Sequence, residues 1–351
     1  MSSLVTGRDK ELIQLKGWPA SEAYRERTVL VTGGLGFIGL NLVAALHAVG
    51  TRIKILSRSW PPTSGIYGPL LKDVTFLKGD LRDETVVAEA VRDAEVIFNL
   101  AGKAGPSASN AAPFEDLDVN CRGQLVLLEA CRHLAPKATV VFPSSRLVYR
   151  PTHDLPVRES APTGPLSIYG VHKLAAEHYH EIYLRLYSLK SVILRITNPY
   201  GRFQRPEQKS YGIINWFIHL ATIGDALPVY GDGAQIRDYV HVEDVVRAFL
   251  LAGVSPAAIG KTFNIGGGQP TSFRGMAEMI VAAAGRGSVR TVPWPRDAAT
   301  VETGDFAADI SSIKESLGWH PTVPLQKGIE DVVEQYGRMS DGAAGSSRAL
   351  P

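Results

Sequence analysis

The chain has 351 residues and 45% hydrophobic content, which is enough to bury a large core in one domain or in two closely joined ones. Its formal net charge is only +2, and Lys and Arg are scattered along the chain, which argues against a nucleic-acid-binding surface. Because no run approaches the roughly 18 apolar residues of a membrane span and the N-terminus lacks a signal-peptide core, we expect a cytoplasmic protein with a small-molecule ligand and no membrane partner.

The first recognisable unit is a strand, a glycine-rich turn and a helix. Residues 1–27 have no clear periodicity and are predicted to form an N-terminal extension. Residues 28–46 (TVLVTGGLGFIGLNLVAAL) then predict a buried strand that enters a helix through a turn containing Gly33, Gly36 and Gly39. Such glycines allow a sharp turn, let a pyrophosphate approach the backbone and let the helix pack closely on the strand. The pattern predicts a dinucleotide site at the helix N-terminus.

The next part of the chain alternates strands with helices. The predicted strands are 51–56, 74–77, 95–100, 138–142 and 191–196, and the predicted helices are 83–91, 113–134 and 166–189. Within helix 113–134, Leu117 and Leu127 are among the residues expected to face inward. Strict alternation predicts an α/β fold of the Rossmann type, a doubly wound parallel sheet formed by residues 28–197.

The second half is less regular and is predicted to form a smaller C-terminal substrate-binding cap. Its predicted helices are 212–223, 242–251, 272–284, 310–317 and 325–336, and its predicted strands are 227–230 and 262–265. The cap consists mainly of residues 198–336, with segments near 228–265 returning to the first domain and strand 262–265 rejoining its sheet. Residues 337–351 are expected to be a flexible tail.

Candidate chemistry lies in the segment that begins helix 166–189. Tyr169 and Lys173 are four residues apart and therefore share a helix face, where the ammonium can lower the pKa of the phenol and make it an acid–base group. Such pairs also occur by chance on exposed helices. Here the preceding strand ends near Ser144 and Ser145, which places a hydroxyl at the edge of the sheet; either serine could instead be a turn cap.

These motifs resemble those of the extended short-chain dehydrogenase/reductase family, in particular its nucleotide-sugar epimerase/dehydratase branch, over about residues 28–336. The family's S-x-x-V-Y context selects Ser145, and Tyr169 and Lys173 match its acid–base group and partner. Asn120 matches an asparagine that is structural or relays protons. The residues expected at the cofactor are Gly33, Gly36, Phe37, Ile38, Gly39, Ser57, Arg58, Asp80, Leu81, Leu100, Ala101, Gly102, Tyr169 and Lys173.

The resemblance also implies an NAD(P)-dependent homodimeric enzyme with a nucleoside-diphosphate sugar as substrate. Asn198 and Arg237 resemble the residues that bind the diphosphate. For Arg237 the alternative is an ordinary surface ion pair. The family's late R-x-x-D pair is only half present, because Asp305 is the aspartate but Glu302 occupies the arginine position. Besides these residues, Ser145 and Arg146 are expected at the substrate.

Residues that differ from those of related enzymes help to distinguish between possible reactions. The 4,6-dehydratases carry an Asp-Glu pair where this chain has Arg146 and Leu147, so the resemblance favours a 4-epimerase that forms a transient 4-keto sugar by reversible hydride transfer. A Ser57–Arg58 sequence in place of an acidic residue can accommodate the 2′-phosphate of NADP, whereas the epimerase resemblance implies NAD. NADP would favour the alternative of a 4-ketosugar reductase.

A third hypothesis is a non-catalytic regulator that keeps the dinucleotide fold, although the intact Ser145, Tyr169 and Lys173 argue against it. The two cysteines, Cys121 and Cys131, lack a metal-binding spacing. We therefore predict a reduced chain with no metal site.

Overall fold

The computed structural model describes residues 22–61, 70–205 and 212–346. The strands are β1 (Thr28–Thr32), β2 (Arg52–Ser57), β3 (Thr75–Lys78), β4 (Val96–Asn99), β5 (Thr139–Ser145), β6 (Lys190–Ile196), β7 (Asn198–Tyr200), β8 (Ala226–Tyr230), β9 (Ile236–Arg237), β10 (Tyr239–His241), β11 (Thr262–Ile265), β12 (Thr271–Ser272) and β13 (Ser288–Val292). Most of the predicted extension and the last five residues of the predicted tail lie outside the described residues.

Helices connect and flank these strands. They are α1 (Phe37–Ala48), α2 (Glu84–Val91), α3 (Pro106–Ala111), α4 (Pro113–Leu117), α5 (Gly123–Leu134), α6 (Ile168–Tyr187), α7 (Ile213–Thr222), α8 (Val242–Val254), α9 (Phe273–Ala284), α10 (Arg296–Thr300), α11 (Ser311–Leu317) and α12 (Leu325–Ser346). None of the helices in the described part of the chain is both long and apolar enough to cross a membrane.

Seven parallel strands form the central sheet in the order β11-β6-β5-β4-β1-β2-β3. One face is covered by α1 and α8, whose apolar side chains share a buried cluster with the sheet, and the other face is covered by α2, α5 and α6. The strand order reverses beside β1, which pairs with both β2 and β4. The predicted doubly wound Rossmann-type fold is therefore confirmed, and its ligand crevice lies where β1 and β4 separate at their carboxyl ends.

The predicted helix 113–134 is interrupted, and the prediction for Leu117 is wrong. A wide π-helical turn at Asp118–Arg122 separates α4 from α5. The wide turn changes the helical phase, so that Leu127 is buried as expected but Leu117 is 43% exposed. The short helix α3, which begins at Pro106, had no predicted counterpart.

The later part of the chain forms three two-stranded sheets beside the main one: β7 with β10, β9 with β12 and β8 with β13. Helices α7, α9 and α12 pack together over a separate apolar cluster. Strand β11 pairs with β6, which confirms that segment 262–265 rejoins the central sheet. Strand β13 was not predicted, and the last helix continues to Ser346 instead of ending at Tyr336.

Candidate active site

The predicted site residues gather along the carboxyl edge of the central sheet. The glycine turn follows β1, Ser57 ends β2, Asp80 follows β3 and Leu100 follows β4. Ser145 ends β5, and helix α6 brings Tyr169 and Lys173 beside it. Parallel strands end at one edge, so these distant segments converge on one crevice.

The glycine turn has the shape that a dinucleotide phosphate requires. Gly33 has φ +67°, and a Cβ at Gly33 would lie 2.9 Å from the Ala101 backbone nitrogen. A Cβ at Gly39 would lie 2.4 Å from the Gly33 carbonyl oxygen, so only glycine permits this approach of helix to turn. Gly36 caps α1, and no side chain caps its first N–H groups. These N–H groups and the positive end of the helix dipole fit a pyrophosphate.

Buried polar side chains hold the opposite wall of this crevice. The Thr32 hydroxyl donates to Asn99 Oδ1 at 3.0 Å and accepts from the Ala101 N–H at 3.0 Å. Asn120, which is 1% exposed, accepts from the Lys103 N–H at 3.1 Å and donates to the Lys103 carbonyl at 3.0 Å. Both ends of the Asn120 amide therefore fasten the loop that contains Gly102.

The adenosine end of the predicted cofactor site is rich in charge. Asp80 accepts two hydrogen bonds from the Arg82 guanidinium, at 2.8 and 2.9 Å, and these bonds lower the pKa of Asp80. The charge of Arg58 also lowers the pKa values of Asp80 and Glu115, so Arg58 lies near both carboxylates. Leu81, which follows Asp80 in the chain, is buried in the apolar cluster that contains Leu77 and Val87.

The expected effect of Lys173 on Tyr169 is wrong in this structure. The Lys173 ammonium donates to the Pro143 carbonyl at 2.7 Å and lies 4.6 Å from the centre of the Phe142 ring but 5.8 Å from that of Tyr169. Burial raises the pKa of Tyr169, against the lowering effect of a hydrogen bond with the Ser145 side chain. Burial also lowers the pKa of Lys173 to about 8. Desolvation therefore outweighs the attraction expected from helix spacing.

The two candidate serines have different partners. The Ser144 hydroxyl donates to Glu177, a buried carboxylate that also forms an ion pair with Arg195 at 2.6 Å. Ser145 accepts from the Leu147 N–H at 3.2 Å, and its side chain interacts with the Tyr169 hydroxyl. The side chain of Ser144 is thus part of a buried structural network, whereas that of Ser145 faces Tyr169.

Cap residues approach this site from the other side. Arg237 is 7% exposed, forms an ion pair with Glu302 and donates to the Gly304 carbonyl at 2.8 Å. Asn198 donates to the Asp238 carbonyl at 2.8 Å. Asp305 is exposed and accepts from the Ile236 N–H at 2.7 Å.

Arg146 lies close enough to Arg237 for the two charges to interact. The Arg146 guanidinium donates to Thr303 Oγ1 at 2.9 Å. The structure therefore brings the two predicted substrate arginines together. Glu302, which occupies the arginine position of the R-x-x-D pair, forms an ion pair with Arg237.

Other polar residues at the site were not predicted. His172, between Tyr169 and Lys173, forms a 2.6 Å contact with the buried carboxylate of Asp116. The negative charge of Asp116 acts to raise the pKa values of both Tyr169 and Lys173. Thr303 lies at the site because the fold brings it to Arg146, from which it accepts a hydrogen bond. Neither Asp116 nor Thr303 belongs to a local motif, so the sequence carried no signal for them.

The fold and the glycine turn define a dinucleotide-dependent enzyme. A family model described as "NAD dependent epimerase/dehydratase family" matches residues 29–266. The chain therefore belongs to this family, whose cofactor is NAD, and the resemblance read from the sequence motifs is confirmed.

Individual relatives cover nearly the whole chain. The UDP-glucose 4-epimerase of Mycolicibacterium smegmatis is 34% identical over 88% of this chain and 97% of its own length. The crystal structure of Thermus thermophilus UDP-glucose 4-epimerase in complex with NAD is 32% identical, with a TM-score of 0.78 over 88% of this chain and 98% of that one. A dTDP-glucose 4,6-dehydratase of Xanthomonas campestris is 29% identical over 88% and 93% of the two chains.

Proposed function

We propose that this protein is a UDP-sugar 4-epimerase. The observation that carries the proposal is the pairing of the Ser145 and Tyr169 side chains at the edge of the crevice, beside Lys173 and with no acidic side chain at positions 146 and 147. The epimerase relatives and the NAD-bound neighbour support the same reaction.

The proposed roles follow from the contacts of each residue. Ser145 hydrogen-bonds the C4 oxygen, and Tyr169 removes its proton and later returns it. Lys173, held by the Pro143 carbonyl, keeps a positive charge beside the reacting groups and would donate its remaining N–H groups to the cofactor. Arg237 and Asn198 hold the diphosphate, so that the intermediate ketone can turn and present either face. When bound, NAD would supply reversible hydride transfer at C4.

NAD would be held by the glycine turn and by the loop at Leu100, Ala101 and Gly102, with Phe37 and Ile38 at the start of the helix over its phosphates. Asp80 and Leu81 would lie at the adenine. Ser57 and Arg58 would lie at the adenosine ribose, where the basic side chain also tolerates the additional phosphate of NADP.

Two other reactions have less support. Arg146 and Leu147 occupy the positions where a dehydratase needs acidic residues. The related dehydratase therefore supports its own reaction for this chain less than the epimerases support epimerisation. A reductase that uses NADPH is favoured only by Ser57 and Arg58. A non-catalytic regulator would not need the Ser145–Tyr169 contact.

We also infer a homodimer. Helix α6 exposes three apolar side chains, and α4 adds two more on the same side of the sheet. They are Val171, Ile182, Leu186, Phe114 and Leu117. Exposed apolar groups of this kind favour association with a second copy. Equilibrium sedimentation of the wild type and Leu186→Glu checks this, and a wild-type monomer would contradict it.

The activity is tested with UDP-glucose, UDP-galactose and the corresponding thymidine, guanosine and cytidine sugars, by chromatography of products together with absorbance of reduced nicotinamide. Interconversion of C4 epimers without net change in absorbance is expected. Stoichiometric consumption of NADPH with a 4-keto sugar would establish the reductase instead, and turnover of neither these compounds nor UDP-glucuronate would refute the proposed function.

A further inference from the structure

Arg146 is held in a fixed position between the sheet and the cap. It directly follows Ser145 and is partly buried. Its guanidinium donates to Thr303 Oγ1 at 2.9 Å, and its central carbon lies 5.3 Å from the centre of the Phe306 ring. A hydrogen bond at one end and an aromatic face below leave the remaining N–H groups of the planar fork to bind a further partner.

The positive charge of Arg146 has no direct carboxylate partner among the described residues. The two acidic side chains whose charges act on it are committed elsewhere: Glu302 binds Arg237, and Asp238 accepts from the N–H groups of Gly267 and Ala308 at 2.6 and 3.0 Å. Burial, and then repulsion by Arg237, lower the pKa of Arg146 to about 10. A desolvated cation beside a second cation is costly unless an anion binds it.

The position of Arg146 indicates which part of a substrate this anion belongs to. The hydroxyls of Ser145 and Tyr169 mark the reacting C4 oxygen, and the α-carbons of Ser145 and Arg146 are about 3.8 Å apart, as in any trans peptide. The diphosphate already has Arg237 and Asn198. An anion beside C4 is therefore expected on the sugar ring, and the carboxylate carbon of a hexuronate is two bonds from C4.

We propose that the preferred substrate is a UDP-hexuronate and that Arg146 binds its carboxylate. This inference rests on the proposed 4-epimerase activity and specifies its substrate class. A guanidinium fork matches a carboxylate with two parallel hydrogen bonds, and Thr303 orients the fork. A neutral hexose leaves the same cation without a partner, so the pocket selects against it.

The test compares UDP-glucuronate with UDP-glucose in the wild type, Arg146→Gln, Arg146→Lys and Thr303→Val. The wild type is expected to have a kcat/KM about 10- to 100-fold higher for UDP-glucuronate than for UDP-glucose, and Arg146→Gln is expected to lower kcat/KM for UDP-glucuronate at least about 10-fold more than kcat/KM for UDP-glucose. Arg146→Lys keeps the charge without the fork and should retain part of the preference, as should Thr303→Val. Inhibition by UDP alone should be unchanged in all variants.

Two outcomes would overturn the inference while leaving the epimerase activity in place. One is a wild type that epimerises UDP-glucose at least as efficiently as UDP-glucuronate. The other is an equal loss on both substrates in Arg146→Gln together with weaker inhibition by UDP, which would assign Arg146 to the diphosphate. If the wild type epimerises neither, the proposed function itself fails. Calorimetric binding of the two UDP-sugars to the wild type gives the same comparison if Arg146→Gln does not fold.

Discussion

The ammonium of Lys173 donates a hydrogen bond to the carbonyl oxygen of Pro143, two residues before Ser145 at the end of β5, at 2.7 Å. This bond ties helix α6 to the strand that carries the proposed active hydroxyl. It also fixes the ammonium in a buried position, where desolvation lowers its pKa to about 8 although Asp116 and Glu177 oppose the change. Protonation of Lys173 thus becomes sensitive to mildly alkaline pH.

We expect kcat/KM of the wild type to fall above pH 8, because kcat/KM reports the free enzyme and Lys173 there loses its charge with a pKa of about 8. The pH profile is measured with a saturating cofactor. Lys173→Arg is the matched variant, since guanidinium does not titrate in this range. If kcat/KM of an active Lys173→Arg enzyme fell at the same pH, the decline would be due to a group other than Lys173.

Deprotonation of Lys173, which is expected to lower kcat/KM, should raise the free energy of unfolding. The folded pKa of Lys173, about 8, is below the ordinary value of 10.5, so between these values the unfolded chain binds more protons and this group makes the free energy of unfolding rise with pH. Below pH 8 the cost of its burial is fully present. Denaturant titrations of wild type and Lys173→Met should therefore converge from pH 8 towards 10.5. Parallel curves over this window would contradict the prediction.

Tyr169→Phe should slow turnover by about 10²- to 10⁴-fold, because it removes the group proposed to move the C4 proton. Folding and NAD binding should be nearly unchanged, since the ring remains. Tyr187→Phe, on the exposed end of the same helix, is the control and should keep wild-type activity. Activity near the wild-type level in Tyr169→Phe would remove this hydroxyl from the mechanism.

The two serines should separate activity from stability. Ser145→Ala is expected to lose turnover without a large change in stability. Ser144→Ala should be less stable by about 1–3 kcal/mol, because it removes a donor from the buried Glu177 carboxylate, but should keep most of its activity once folded. Urea denaturation and steady-state rates at low temperature measure both effects, and the reverse pattern would exchange the two assignments.

Asn120→Ala should lower stability by about 1–3 kcal/mol and weaken NAD binding, because both hydrogen bonds that fasten Lys103 are lost. Fluorescence titration with NADH and thermal denaturation measure these effects. A loss of kcat with unchanged stability and NADH affinity would instead place Asn120 in the proton relay.

Local patterns in the sequence determined the architecture. The glycine spacing from Gly33 to Gly39 specifies a turn that side chains would block, and the alternation of apolar strands and amphipathic helices specifies a parallel sheet whose carboxyl edge holds the ligand. Helix spacing alone also placed Tyr169 and Lys173 on one face. These features depend on residues close together in the chain, so they can be predicted without the fold.

Only the tertiary structure decided how charges are distributed in the site. Glu302 meets Arg237 across 65 residues, and Thr303 meets Arg146 across 157. Ser144 differs from Ser145 because Glu177 lies beneath it, and Lys173 is desolvated by packing that no local pattern encodes. Such contacts depend on how the cap and helices pack against the sheet, and the free energy of a charge depends on all the neighbours that packing brings to it.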